Sequence, residues 1–320
     1  MKEKIMDENI LIGLKQATFG YSGRPVISGV SLAVRYGEFI GLIGPNGAGK
    51  TTLISIMTTL LFPDKGTGEV CGFDLRSQSG KIREVVNVTS GNANFTDIFS
   101  VAENLNYYGM LYGMAGPKRR KKIDRLIEMF QLQTHRNTPF NRLSTGTKQR
   151  LALAKSLMNE PRVLFLDEPT VGLDPQISES IRSSLKEMNR EDGLTIVLTT
   201  HNMDEAEELS DHISFLQAGR IIAHGNAKNL KSKVRWGDTI RIRYDGPSLA
   251  PCGITSLTGI LEVEVTENLV TITVDDHRKR LDTLMRTLVL QGNIILQDIE
   301  IIKPDLEDVF LELSKAPHPN

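Results

Sequence analysis

Hydrophobic and polar positions follow two different rhythms along this chain, and the change falls near residue 230. Before it, short apolar runs such as 39–43, 163–166 and 195–200 each end in a polar or Gly/Pro loop and alternate with stretches of helical spacing. That order predicts an α/β unit from residue 10 to about 225. Between 95 and 159 the spacing turns helical, with apolar positions at Leu126, Ile127 and Phe130 and then at Leu151, Leu153, Ala154 and Leu157, so a mostly helical insertion is expected there. Residues 219–225 read as a hairpin-like finish, and 226–237, rich in Lys and Asn, as a linker. Beyond it, 239–244, 261–265 and 270–274 alternate apolar and polar residues as half-exposed strands do, and 276–290 carries helical spacing. Strand character returns at 293–302, followed by a helix over 306–313. With a short helix after Gly246, this predicts a small α+β domain of the β-α-β-β-α-β, ferredoxin-like kind. The expected boundaries are 1–229 and 230–320.

The first candidate chemistry lies where the strand at 39–43 gives way to the helix expected over 50–60. Gly44, Pro45, Asn46, Gly47, Ala48, Gly49, Lys50 and Thr51, with Thr52 following, fit G-x-x-x-x-G-K-T. Backbone N–H groups converge on a helix N-terminus in such a turn, which makes it a cradle for phosphate. Lys50 is placed to reach β- and γ-phosphates as a point charge, and the Thr51 hydroxyl to ligate a Mg²⁺ bridging them. The apolar run at 163–166 ends in two carboxylates. Asp167 suits Mg²⁺, and Glu168 suits orientation and deprotonation of the attacking water. His201 ends a third strand after Thr199 and Thr200, where an imidazole can donate to the γ-phosphate. Ligands in open parallel sheets bind beyond the carboxyl ends of strands, so these three points are expected in one crevice.

Composition narrows the partners. The 320 residues are 40% hydrophobic, enough for about two cored domains. Lys and Arg total 38 against 39 for Asp and Glu, so the net charge of -1 gives no overall attraction to nucleic acid. The two cysteines, Cys71 and Cys252, lie too far apart in sequence for metal-ligand spacing and read as buried free thiols of a reducing compartment. No apolar run approaches the 18 or more residues of a membrane span, and 1–9 lacks the apolar core of a secretion signal. A cytoplasmic chain is expected.

Taken together, these residues resemble the ATP-binding cassette (ABC) ATPases over about 10–225. The resemblance extends to Leu143, Ser144, Thr145, Gly146 and Thr147 at the family's signature position, to a D-loop ending at Asp174, and to His201 at the switch histidine. Tyr21 matches the aromatic on which adenine stacks; its other reading is a core tyrosine. The resemblance implies a P-loop domain with a mixed sheet and a helical subdomain at about 95–159. It also implies a head-to-tail pair of cassettes, most simply a homodimer, in which Ser144 and Gly146 of one protomer meet ATP held by the other. A helix from about 147 to 159 would supply N–H donors for that contact. Separately encoded transmembrane permease subunits would be moved by ATP hydrolysis, and would hold the chain at the inner face of the membrane. The segment 304–313 looks like the tail of bacterial exporter subunits for drugs, antibiotics, ions or lipids, which favours export.

Two departures stand out. Thr145 and Thr147 replace a glycine and a glutamine of the usual LSGGQ signature, and a β-branched residue is strained if the glycine's φ is positive. The family's Mg²⁺-sensing glutamine is also missing: counting back from Glu103 puts Ser90 or Gly91 there, with Asn92 and Asn94 nearby. Hydrolysis that is slower or differently coupled is the expectation. Phe95, Phe99, Tyr107, Tyr108 and Tyr112 form an aromatic cluster, either subdomain core or, by resemblance, part of the groove for a membrane subunit. The basic run 118–122 reads as a solvated helix start, with contact to anionic lipid as the other reading. The competing functions are a soluble ABC ATPase with a non-membrane partner and a weakly hydrolysing nucleotide-gated module.

Overall fold

Alternate residues of the central strands feed two different cores, which is why those strands read as unbroken apolar runs. The computed structural model describes residues 9–89, 94–232, 237–246, 252–291, 294–302 and 305–315, and the chain forms two compact units, 1–227 and 228–320. The first opens with an antiparallel hairpin of β1 (Ile10–Tyr21) and β2 (Arg24–Arg35), then enters β3 (Phe39–Ile43) and α1 (Lys50–Met57). Strands β4 (Lys65–Val70) and β5 (Phe73–Asp74) return to the hairpin and complete an antiparallel sheet in the order β2-β1-β4-β5. Helix α2 (Ser79–Val85) and β6 (Val86–Thr89) come before the helical segment of α3 (Val101–Leu111), α4 (Gly116–Met129) and α5 (Thr145–Ser156). The chain then alternates β7 (Val163–Asp167), α6 (Pro175–Asp192), β8 (Thr195–Thr200) and α7 (Met203–Leu209), and closes with a hairpin of β9 (His212–Gln217) and β10 (Arg220–Gly225). The second sheet runs β10-β9-β3-β8-β7-β6, parallel except for the β9-β10 pair.

Ile40, Leu42, Val163, Phe165 and Val197 pack into a core shared with the antiparallel sheet and α1. Phe39, Leu164, Leu166, Ile196 and Leu198, the intervening positions, pack into a second core with α3 to α6. Side chains two apart share a face of a strand, so each strand is held from both sides. The expected helical insertion is present. Helix α3 starts on a capping box in which Ser100 and Glu103 each accept the other's backbone N–H, and the Ser100 N–H and hydroxyl, both donating to Glu103 Oε2, hold its carboxyl below the usual carboxylate range. Among the described residues no helix is long and apolar enough to cross a membrane.

Cys71 sits in the turn between β4 and β5, 6% exposed. Burial pushes its thiol up to about 11, with Arg162 opposing weakly. At pH 8 its thiolate fraction is therefore on the order of 10⁻³, and alkylation proceeds through the thiolate. Native protein treated with iodoacetamide should leave the Cys71 peptide unmodified by mass spectrometry until denaturant is added; rapid native labelling would contradict this burial. The side chain of Cys252 lies outside the described residues.

The segment read as a linker contains a short helix, α8 (Ala227–Lys231), fixed by buried Leu230. The second unit follows with β11 (Asp238–Asp245), α9 (Cys252–Thr255), β12 (Ile260–Thr266), β13 (Leu269–Val274), α10 (His277–Gln291), β14 (Ile295–Ile302) and α11 (Leu306–Lys315). Its sheet order is β12-β13-β11-β14 with every neighbour antiparallel, so each crossover helix skips a strand and the two βαβ units interleave. This is the expected ferredoxin-like arrangement. Ile240, Ile242 and Tyr244 on β11, with Val270, Ile272 and Val274 on β13, cover Leu284 and Leu288 of α10.

Candidate active site

Sheet register brings the three predicted points together. Ile43 pairs with Thr200 and Asp167 with Thr199, so Gly44, Glu168 and His201 leave β3, β7 and β8 at one edge. Gly49 caps α1 at φ 104°, a backbone conformation that a side chain resists, and there the loop turns into the helix. A cavity of about 200 Å³ opens over this turn, lined by Val26, residues 46–52 and Glu168. Lys50, 6% exposed, curls over the loop. Its ammonium donates to the carbonyls of Gly44 at 2.7 Å and Pro45 at 3.3 Å and lies 3.4 Å from Glu168 Oε1.

Asp167 is pinned from two sides. Thr51 Oγ1 donates to its Oδ2 at 2.9 Å and Thr199 Oγ1 to its Oδ1 at 2.5 Å. Thr199 is fully buried, one of three threonines in β8, and the signal available in sequence is that a hydroxyl in a buried strand must find a partner. Glu168 adopts φ 50°, uncommon for a residue with a side chain, and its N–H donates to Thr199 O at 3.0 Å. This turn separates the two acids: Asp167 faces Thr51, whereas Glu168 stands between Lys50 and His201, its Oε2 3.4 Å from His201 Nδ1. His201 is half exposed.

The remaining predicted residues lie apart from this cavity. Tyr21 ends β1, 52% exposed and edge-on to Phe19 with centroids 4.9 Å apart, so it is a surface ring rather than a core tyrosine. Asp174 caps α6, accepting the Ile177 N–H at 2.9 Å. Helix α5 begins at Thr145, two residues earlier than expected. Ser144 is its cap: Ser144 Oγ accepts the Thr147 N–H at 3.3 Å and lies 2.8 Å from Thr147 Oγ1. Thr145 is helical and exposed with negative φ, so the replacement carries none of the strain expected of a left-handed glycine site. Gly146 is the constrained position, since a Cβ there would stand 2.3 Å from Ile177 Cδ1 on α6. A further pair went unread in sequence: Thr170 Oγ1 donates to buried Glu205 at 2.6 Å and ties the segment before Asp174 to α7.

Ser90, Gly91 and Asn92 lie outside the described residues. Asn94 is exposed, and its carbonyl accepts the Tyr108 hydroxyl. The aromatic cluster divides between partly buried and exposed rings. Phe95 packs on Phe140 at 4.9 Å against the subdomain core, whereas Tyr107 and Tyr112 are exposed, as are Ile98, Met110 and Leu111. The basic run begins α4, and Lys118 pairs with Glu160 at 2.7 Å.

A parallel sheet edge carrying a phosphate loop, a strand-end carboxylate pair and a neighbouring histidine defines a P-loop nucleoside triphosphatase. Residues 27–171 match the ABC transporter family. Over 296 residues the chain is 36% identical to a daunorubicin resistance ATP-binding protein, DrrA3, of Streptomyces coeruleorubidus, covering 92% of each chain. It is 30% identical to the linearmycin resistance ATP-binding protein LnrL of Bacillus subtilis, covering 92% of this chain and 95% of that one. Among solved structures it resembles the dimeric ATP-binding cassette MJ0796 in a post-hydrolysis state bound to ADP and Pi, with a TM-score of 0.62 and 28% identity over 67% of this chain and 98% of that one. The chain belongs to the ABC transporter family, as an ATP-binding and ATP-hydrolysing subunit that powers a transporter.

Proposed function

We propose that this subunit energises an exporter, working as a pair of cassettes against separately encoded membrane subunits at the cytoplasmic face of the membrane. The observation that carries the reading is the likeness to resistance-type ATP-binding proteins across 92% of the chain, which takes in the second unit as well as the cassette. The site supplies the engine. The loop at 44–52 would cradle the triphosphate, with the Lys50 ammonium on its β- and γ-oxygens. Thr51 Oγ1 and Asp167 Oδ2, 2.9 Å apart, are hard oxygen donors that fit Mg²⁺, with water completing its shell. When bound, the ion neutralises charge on the phosphate oxygens. Glu168 is the general base for the attacking water, held between Lys50 and His201. His201, exposed at the same edge, donates to the γ-phosphate. Tyr21 offers an exposed ring to adenine. Ser144, Gly146 and Asp174 serve the nucleotide of the second protomer.

The exposed apolar and aromatic side chains Tyr107, Met110 and Leu111 of α3, with Ile98 before it and Tyr112 after it in sequence, would receive a helix of the membrane subunit, since solvent-facing apolar and aromatic side chains mark interfaces. Leu111 is 61% exposed, so Leu111→Asp should leave the fold and the ATPase activity of the isolated chain unchanged. Affinity purification of tagged full-length chain from its own membranes should recover a polytopic protein with the unaltered sequence and about tenfold less of it with Leu111→Asp. Equal recovery would remove these side chains from the interface, and recovery of no membrane protein by either form would sink the transport reading.

A further inference from the structure

One cavity of the cassette lies away from the phosphate loop. It holds about 380 Å³ and shares no lining residue with the 200 Å³ nucleotide cavity. Its floor is apolar and comes from two layers: Leu126 and Met129 of α4 with Leu157 just past α5 on one side, Met188 and Leu194 around the end of α6 on the other. Its rim carries Lys122, Arg125 and Arg162 against Glu160 and Asp192, three cations to two carboxylates.

The rim cations are loosely held. Glu160 bonds Lys118 at 2.7 Å, which leaves Lys122 with a distant contact to the other Glu160 oxygen at 3.8 Å. Among the hydrogen bonds of the described residues none engages the Lys122 ammonium, although only 15% of that side chain is exposed. Burial holds this ammonium below the usual lysine range, as expected of a cation short of counter-charge. Arg125 meets Asp192 only at 3.7 Å, with both side chains more than half exposed, so that pair is weak. Arg162 donates to the Tyr36 hydroxyl at 2.9 Å and lies over its ring, closing one side of the mouth.

We infer that this cavity is a second ligand site, built for a small amphipathic anion with an aromatic or branched apolar body and a single carboxylate or sulfonate. Its volume lies near the lower end of ligand pockets, which limits the body to about two rings. The apolar floor takes that body, and Lys122 takes the charge. A nucleoside triphosphate does not suit the site, because its several negative charges exceed a rim whose balance is +1, three cations less two carboxylates.

Two fluorescent probes separate the parts of this inference: 1-anilinonaphthalene-8-sulfonate and its neutral counterpart N-phenyl-1-naphthylamine, titrated into the full chain. The sulfonate should saturate at one equivalent and bind about tenfold more tightly than the neutral probe, the size of one charge-assisted contact at a half-buried site. Lys122→Met should erase that difference, Lys122→Arg should keep it, and Met129→Trp, which fills the cavity, should abolish both. Binding of a fluorescent ATP analogue, unchanged in all three variants, reports that each is folded. Equal affinity of the two probes in the unaltered chain would overturn the anion assignment. Unsaturable binding, or binding undiminished by Met129→Trp, would overturn the site.

Discussion

Replacing Glu168 by glutamine should lower steady-state ATP turnover by about 10²- to 10⁴-fold, the range lost with a positioned general base. ATP affinity should change little. The amide keeps the shape of the side chain but cannot accept a proton from water, and Lys50 retains its bonds to the Gly44 and Pro45 carbonyls. The left-handed backbone at Glu168, which aims the side chain away from Asp167 and toward Lys50 and His201, is untouched by the exchange. If ATP closes a pair of cassettes and hydrolysis reopens it, the variant should accumulate in MgATP as a species of twice the mass, visible by light scattering during gel filtration, whereas the unaltered chain should remain mostly monomeric. Turnover within about tenfold of the unaltered chain would assign the base elsewhere.

The parts of this site that could be read in sequence are those that depend on the chain locally. Strands β3, β7 and β8 are buried on both faces, so each shows as an apolar run, and its polar successor marks the ligand edge. The β-α-β-β-α-β order of the second unit was legible because its strands alternate by two. The antiparallel sheet of β2, β1, β4 and β5 was not. Four consecutive buried residues follow Ile10 in β1, and register shifts between Leu14, Ala17, Phe19 and Gly20 break the alternation that would announce it. Helix α8 was hidden by the polar composition of its segment, with Leu230 as its one buried residue. The hydroxyl partnerships were hidden for a different reason: Thr199 finds Asp167 across 32 positions and Thr170 finds Glu205 across 35, and only folding brings such pairs together.

The altered signature illustrates the same division. Sequence identifies Thr145 and Thr147 as departures, but their cost depends on backbone conformation and neighbours. Thr145 costs no strain because it lies in the first turn of α5. Thr147 is 9% exposed, and its hydroxyl holds the cap Ser144 at 2.8 Å, a contact that a glutamine's amide would have to make by a different route. The Ser144 hydroxyl, which we propose for the second protomer's nucleotide, is thus held by a side chain that departs from the usual motif. That contact is the physical basis we propose for the slower or differently coupled turnover expected from the altered signature, because Ser144 would have to leave it, or share it, to meet a phosphate.

Lys50→Met should produce the second large effect, weakening ATP binding by about 10²- to 10³-fold, as expected when a buried cation facing phosphate oxygens is replaced by an apolar side chain of similar length. Lys50 is the one cation bonded to the loop in the described structure, and its neighbour Glu168 would keep only His201 as a charge partner. Removing one member of a pair whose other member, Glu168, is only partly exposed leaves that carboxylate less compensated, so part of the loss will register as lower thermal stability. Combining Lys50→Met with Glu168→Gln separates the contributions. The double variant relieves the uncompensated carboxylate and should melt above Lys50→Met alone, while its turnover should fall scarcely below that of the worse single variant, because groups acting on one transition state are not additive. Titration of a fluorescent ATP analogue, thermal melts and steady-state rates on the four proteins complete the cycle. An ATP affinity for Lys50→Met within about threefold of the unaltered chain would mean that the ammonium serves the loop's own carbonyls rather than the nucleotide.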